Sequence, residues 1–156
     1  MVMDDTVLSS VPAPAVPNEP QWEGHLLDPE SYLERIGYRG PRTASVAVLS
    51  ALHQAHKAAI AFENVDVALE REISLNLSDV QRKLVHAGRG GYCFEHNLLY
   101  AAVLELFGLP VTRLLARVRN GKRNVRYRAH AVLVVMAEGR LHVTDVGFGS
   151  EGPPTP

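Results

Sequence analysis

Arg89-Gly90-Gly91-Tyr92-Cys93-Phe94-Glu95-His96-Asn97 divides the chain into two kinds of structure. The glycine pair breaks the element before it. The run from Cys93 to Phe107, closed by Gly108 and Pro110, reads as a helix. Cys93, the sole cysteine, therefore stands at a helix N-terminus, where free backbone N–H groups and the helix dipole favour negative charge. The thiolate is the nucleophilic form of cysteine, so the position predicts a reactive sulfur. Gly88, Gly90 and Gly91 lack both the Lys-Ser/Thr of a P-loop and a G-x-G-x-x-G spacing. They read as ending one helix and permitting close approach to the thiol.

Upstream, the pattern is helical. Residues 1–20 are Pro- and Ala-rich without periodicity and read as a flexible arm. Asp28-Pro29-Glu30 opens a helix with Tyr32, Leu33 and Ile36 on its apolar side and Gly37 or Gly40 at its end. Thr43 reads as the cap of a second helix carrying Val46, Leu49, Leu52, His53 and His56. Ala61 to Asp66 reads as a loop, Ile73 and Leu75 as a short strand, and Ser78 with Gln81 as the capping box of a third helix ending at Gly88. Downstream, the period changes. Val111–Arg119, Ala129–Met136 and Leu141–Val146 read as strands, with turns at Asn120-Gly121 and Glu138-Gly139. Helices followed by strands predict an α+β fold: an N-terminal helical bundle over 21–108 and an antiparallel β-sheet over 109–156. Three strands make a small open sheet, so we expect the natural protein to be longer or a partner to cover the sheet edges, with self-association through them.

Composition limits the function classes. Of 156 residues, 46% are apolar, which supports a packed core; 16 basic and 17 acidic residues leave a formal charge of -1, which gives no pull toward nucleic acid or membrane. One cysteine, no basic N-terminal region and no bilayer-length apolar run predict a cytoplasmic protein.

A cysteine nucleophile needs a base and a group that orients the base. If Glu138-Gly139 is a two-residue turn, Ala137 pairs with Arg140, His130 faces Gly147, and Val132 faces Asp145. His130 and Asp145 then share a sheet face as diagonal neighbours, roughly 7–8 Å apart at the backbone. Gly147 opposite His130 leaves room for the ring. One extra turn residue would separate the pair. The plainer alternatives are a core cysteine, a hydrogen-bonded strand histidine and a turn-capping aspartate. Cys93 and His96 lack the further matched ligands of a zinc site, so no metal is expected. His25, His53, His56 and His142 read as isolated surface or satisfied histidines. Seven basic residues cluster from Arg113 to Arg128; they read as a solvated hairpin face, or as a patch for a phosphorylated ligand, with Gly91, Arg126 and Arg128 as candidate contacts.

Arg89–Glu95, Arg128-Ala129-His130-Ala131, Thr144-Asp145-Val146-Gly147-Phe148-Gly149 and the earlier Phe62-Glu63-Asn64 together resemble the arylamine N-acetyltransferases, in that family's order and over residues 25–150. Ala61 stands where many members have proline. The resemblance implies a cysteine-proteinase-like triad of Cys93, His130 and Asp145. It implies acetyl-CoA as co-substrate and ping-pong acetyl transfer to arylamines or arylhydrazines. It implies a helical domain, a β-barrel domain present here only in part, and a third domain absent from this chain. Phe62, Tyr92, Phe94 and Phe148 become candidate contacts for the aryl group. Two other readings stay open at this level: another Cys-His-Asp enzyme, such as a thiol hydrolase or transglutaminase, and a non-catalytic short form that binds aromatics or a partner.

Overall fold

The computed structural model describes residues 21–119, 127–149 and 156. The N-terminal arm and the Asn120-Gly121 turn lie outside the described residues, as does Arg126. Helix α1 (Pro29–Ile36) is started by Asp28, whose carboxylate accepts from the Glu30 and Ser31 amides, and is closed by Gly37. Helix α2 (Val46–Ala59) is capped by Ser45, which accepts from the Val48 amide, rather than by Thr43. Thr43 stands two residues too early for its hydroxyl to serve the first turn. Glu138, from the far hairpin, accepts a further free amide of α2 at Val46 (3.1 Å).

Three local expectations are corrected. Residues Val65–Ala68 form a single helical turn, α3, which begins inside the expected loop and runs past its end. Ile73 and Leu75 do not form a strand: the segment is irregular, and Leu75 is 43% exposed. Alternation alone cannot make a strand where no partner strand lies alongside. Helix α4 (Leu77–Gln81) starts one residue before Ser78, without a side-chain cap, and continues as a π turn over Arg82–His86. Gln81, expected to reach back in a capping box, is used elsewhere and accepts from the Asp28 amide (2.6 Å).

Helix α5 (Cys93–Leu106) is the centre of the molecule. Cys93, Glu95–Asn97 and Leu99–Leu104 are all buried, so it is covered on nearly every side. The sheet packs on it in the order β1 (Val111–Ala116), β2 (His130–Ala137), β3 (Arg140–Thr144), antiparallel throughout. β2 is the middle strand, and Ala131 to Val135 are at most 1% exposed. Ala137 pairs with Arg140, and Leu133 with Thr144, which is the expected register. Glu138 and Gly139 both take positive φ, at 50° and 75°, as a two-residue hairpin turn requires. The expected mixed architecture is present, with a partial, unclosed sheet. No helix among the described residues is long and apolar enough to cross a membrane.

Candidate active site

Cys93 is the first residue of α5, and a glycine-rich approach sets it there. Gly90 passes so close to the preceding loop that an added Cβ would lie 2.1 Å from the Ala61 carbonyl oxygen. The two segments form a short parallel bridge, Phe62 with Gly91. The Gly91 amide donates to the Ala61 carbonyl (3.3 Å), and the Glu63 amide donates to the Gly91 carbonyl (2.8 Å). The backbone of Gly91 is thus engaged with the chain itself. Glu95 closes the helix start by accepting from the Tyr92 amide (3.0 Å).

The register carries His130 and Asp145 to the same place. Strand β3 ends at Thr144, so Asp145 lies one residue beyond it, not within it. Its carboxylate still meets the ring: His130 Nε2 and Asp145 Oδ2 are 2.5 Å apart, both side chains buried. Cys93 lies beside the same ring and faces the nitrogen that Asp145 leaves free, Nδ1, while its sulfur is 3.9 Å from the Ala129 carbonyl oxygen, to which the thiol can donate. Burial opposes charge on His130, but hydrogen bonds to Asp145 and Cys93 outweigh it and push the ring up to about 9. Cys93 itself is 7% exposed, with no disulfide partner.

Asp145 is itself held. Its Oδ1 accepts from Asn97 Nδ2 (3.2 Å) and from the Gly147 amide (2.9 Å), leaving Oδ2 for the histidine. Asn97 Nδ2 also lies within donating distance of the carbonyls of Cys93 (3.1 Å) and Ala131 (2.9 Å). One buried amide therefore ties the start of α5, strand β2 and the loop of Asp145 together. Gly147 is needed for a reason other than ring space. A Cβ there would stand 2.8 Å from Cys93 Cα and 2.9 Å from Asn97 Nδ2. The glycine lets the aspartate loop lie on the start of α5.

The chain matches the family model described as N-acetyltransferase over residues 45–156. It is 41% identical over 121 residues to the arylamine N-acetyltransferase of Escherichia coli (strain K12), covering 77% of this chain and 43% of that protein. Among solved structures, the Nocardia farcinica arylamine N-acetyltransferase superposes with TM-score 0.84 at 42% identity, over 90% of this chain and 50% of that one. The chain belongs to the arylamine N-acetyltransferase family. It spans about half the length of the relatives it matches. A Mycobacterium marinum arylamine N-acetyltransferase solved in complex with CoA is also similar, with TM-score 0.77 at 38% identity, over 83% of this chain and 49% of that one.

The remaining candidate residues differ in their surroundings. Phe148 meets His130 edge-on, with ring centroids 4.9 Å apart. Tyr92 and Phe94 pair with each other at 5.5 Å, both half-buried. Phe62 is 45% exposed and lines a cavity of about 490 Å³ with Lys57, Ile60, Val146 and Gly149. Arg128 is exposed beside β2, and Arg113 lies 5.6 Å over the Trp22 ring.

Several residues escaped sequence reading. Asn97 was detectable as the position one helical turn after Cys93, on its own face. His53 and His56 are not isolated: His53 Nδ1 lies 2.8 Å from Thr144 Oγ1, and His56 lies between Tyr32 and His96. His25 is exposed and His142 half-buried. A salt-bridge network braces the approach to the thiol. Lys83 joins Glu95 (2.7 Å) and Asp66 (2.8 Å), and Arg89 joins Asp66 and Glu63, both at 2.9 Å. Hydrogen bonds from Lys83 and Arg89 hold the Asp66 carboxyl well below the usual carboxylate range. No charge spacing within one segment marks this network, because its members come from four separate segments.

Proposed function

We propose that the chain transfers an acetyl group from acetyl-CoA to arylamines or arylhydrazines through an acetyl-Cys93 intermediate. The supporting observation is the His130–Asp145 hydrogen bond, with Cys93 beside the same ring. In this reading, the Cys93 proton passes to His130, and Asp145 fixes the ring and offsets its charge. The sulfur attacks the thioester carbonyl. Unpaired backbone N–H groups at the start of α5, that of Cys93 among them, hold the developing oxyanion. The C–S bond to CoA breaks, and His130 returns the proton to the departing CoA sulfur. The amine then attacks acetyl-Cys93, gives a proton to His130, and the Cys93 sulfur leaves.

Phe148, Phe62, Tyr92 and Phe94 are the aryl contacts in this reading, and Gly91, Arg126 and Arg128 are the candidate CoA contacts. Residues 21–108 act as a helical unit and 109–156 as the first part of a barrel unit. The test is product formation. The chain with acetyl-CoA and an arylamine should yield the N-acetylated amine, and Cys93→Ser should abolish it. Product at equal rate from Cys93→Ser refutes the proposal.

A further inference from the structure

Three helices contribute a buried line of rings that acyl transfer leaves unused. The Tyr32 hydroxyl is 2.9 Å from His56 Nδ1, His56 Nε2 is 2.9 Å from His96 Nδ1, and His96 Nε2 is 3.2 Å from the Ala61 carbonyl oxygen. Tyr32, His56 and His96 are all 0% exposed. The line has one self-consistent placement of protons for neutral rings. A carbonyl only accepts, so His96 carries its proton on Nε2. Its Nδ1 then accepts, so His56 donates from Nε2. His56 Nδ1 is left as an acceptor, and the Tyr32 hydroxyl donates to it. Every donor points along the line toward Ala61.

The line ends under the half-exposed Phe62. The Ala61 carbonyl takes hydrogen bonds from both His96 and the Gly91 amide, fixing the residue just before Phe62. The Phe62 ring stacks on the His96 ring, 6.4 Å between centroids and 19° from parallel. Gly149 packs on its side; a Cβ there would lie 3.6 Å from the Phe62 ring. Holding a side chain still where it is half-exposed opposes its rotamer freedom, so an exposed aromatic stays ordered only where its surroundings fix it. His96 is three residues after Cys93 on the same helix, so one rigid element carries both the nucleophile and the platform beneath Phe62.

We infer that His96, set by His56 and Tyr32, is a positioning residue for the amine acceptor: it holds Phe62 at the cavity wall in register with the Cys93 sulfur. This inference rests on the acyl-transfer reading for its kinetic consequence only. His96→Gln retains a donor for Ala61 and an acceptor for His56, whereas His96→Phe retains a flat ring and neither polar atom. Hydrogen exchange at the Glu63 amide reads the loop without any transfer. Exchange should accelerate about tenfold in His96→Phe, the loss of roughly one buried hydrogen bond, and stay within about twofold of the parent in His96→Gln. In the transfer assay the acceptor KM should rise by a similar factor, about tenfold, in His96→Phe with kcat within about threefold, and return in His96→Gln. ¹⁵N spectra of the histidine rings should show the Nε2–H form at both His56 and His96. An Nδ1–H form at His96 overturns the inference, as does parental Glu63 exchange in His96→Phe. Absence of any acetyl transfer refutes the acyl-transfer reading instead, and the exchange and ¹⁵N results still decide where Phe62 is held.

Discussion

Asp145→Asn isolates what the aspartate does, because the surroundings dictate how an asparagine would sit. Asp145 Oδ1 accepts from Asn97 Nδ2 and the Gly147 amide, and both are donors only. An asparagine must therefore turn its own oxygen toward them and its NH₂ toward His130. The ring then has to accept at Nε2, which moves its proton to Nδ1, the nitrogen that faces Cys93. In that state the ring can neither take the thiol proton nor offer the sulfur a cation. The magnitude follows from the ring's position at about 9 in the parent protein. A full fall to the ordinary histidine range near ~6.5 would be about 2.5 pH units, on the order of 3 kcal/mol; because Cys93 also contributes to the rise, the loss of Asp145 accounts for roughly 2. Alkylation of Cys93 by iodoacetamide at neutral pH, followed by intact mass, should slow at least about thirtyfold. Circular dichroism should stay near that of the parent, since the isosteric side chain keeps its other two bonds, while Tm should fall by several degrees with the loss of the charge that raises His130. Alkylation of the folded variant within twofold of the parent would refute the reasoning.

Gly147→Ala places a Cβ 2.8 Å from Cys93 Cα; overpacking of about 1–3 kcal/mol should lower Tm by several degrees and slow Cys93 alkylation, read by calorimetry and mass. Lys83→Met strands Glu95, which is 3% exposed, and leaves Asp66 to Arg89 and Arg71; because Lys83 is 16% exposed, the loss should fall below the usual cost of a broken buried pair, at roughly 2 kcal/mol by urea unfolding, and Glu95→Gln should recover part of it. Stability should also depend on pH in two opposed ways. Burial, then the charges of His96, His53 and Arg35, lowers His56, which also faces Tyr32 and Tyr100. Burial lowers His96 more than the Ala61 and Gly91 carbonyls and the Glu95 and Asp145 carboxylates raise it. The unfolded chain thus binds protons first at these two sites, and their contribution is lost as pH falls below about 6.5. His130 is raised, so its contribution is complete below about 6.5 and disappears as pH rises through about 9. Urea midpoints should therefore fall on both sides of neutrality, and His96→Gln should flatten the acid limb.

The parts legible in the sequence were those with local grammar. Asp28-Pro29, Gly37, the Glu138-Gly139 turn and the start of α5 each follow from one or two residues and their neighbours. The His130–Asp145 contact was legible because a two-residue turn determines register, and register determines which side chains share a face. Asp145 could slip out of the strand without harm, since a loop residue pinned by Gly147 and Asn97 reaches the same point. The illegible parts depend on segments meeting from a distance. Ser45 replaced Thr43 because the start of α2 is also held by Glu138 from the far hairpin. Ile73 and Leu75 alternate like a strand but found no partner. The Tyr32–His56–His96 line joins three helices, and each ring on its own reads as a core aromatic or a stray histidine.

The most direct test of the central claim is intact mass and peptide mapping after incubation of this chain with p-nitrophenyl acetate or acetyl-CoA, followed by addition of an arylamine. The account predicts a single acetyl group on Cys93, absent in Asp145→Asn at matched time and discharged to the amine when it is added. An acetyl group that settles on lysines while Cys93 stays unmodified, or one on Cys93 that the amine never removes, would contradict it.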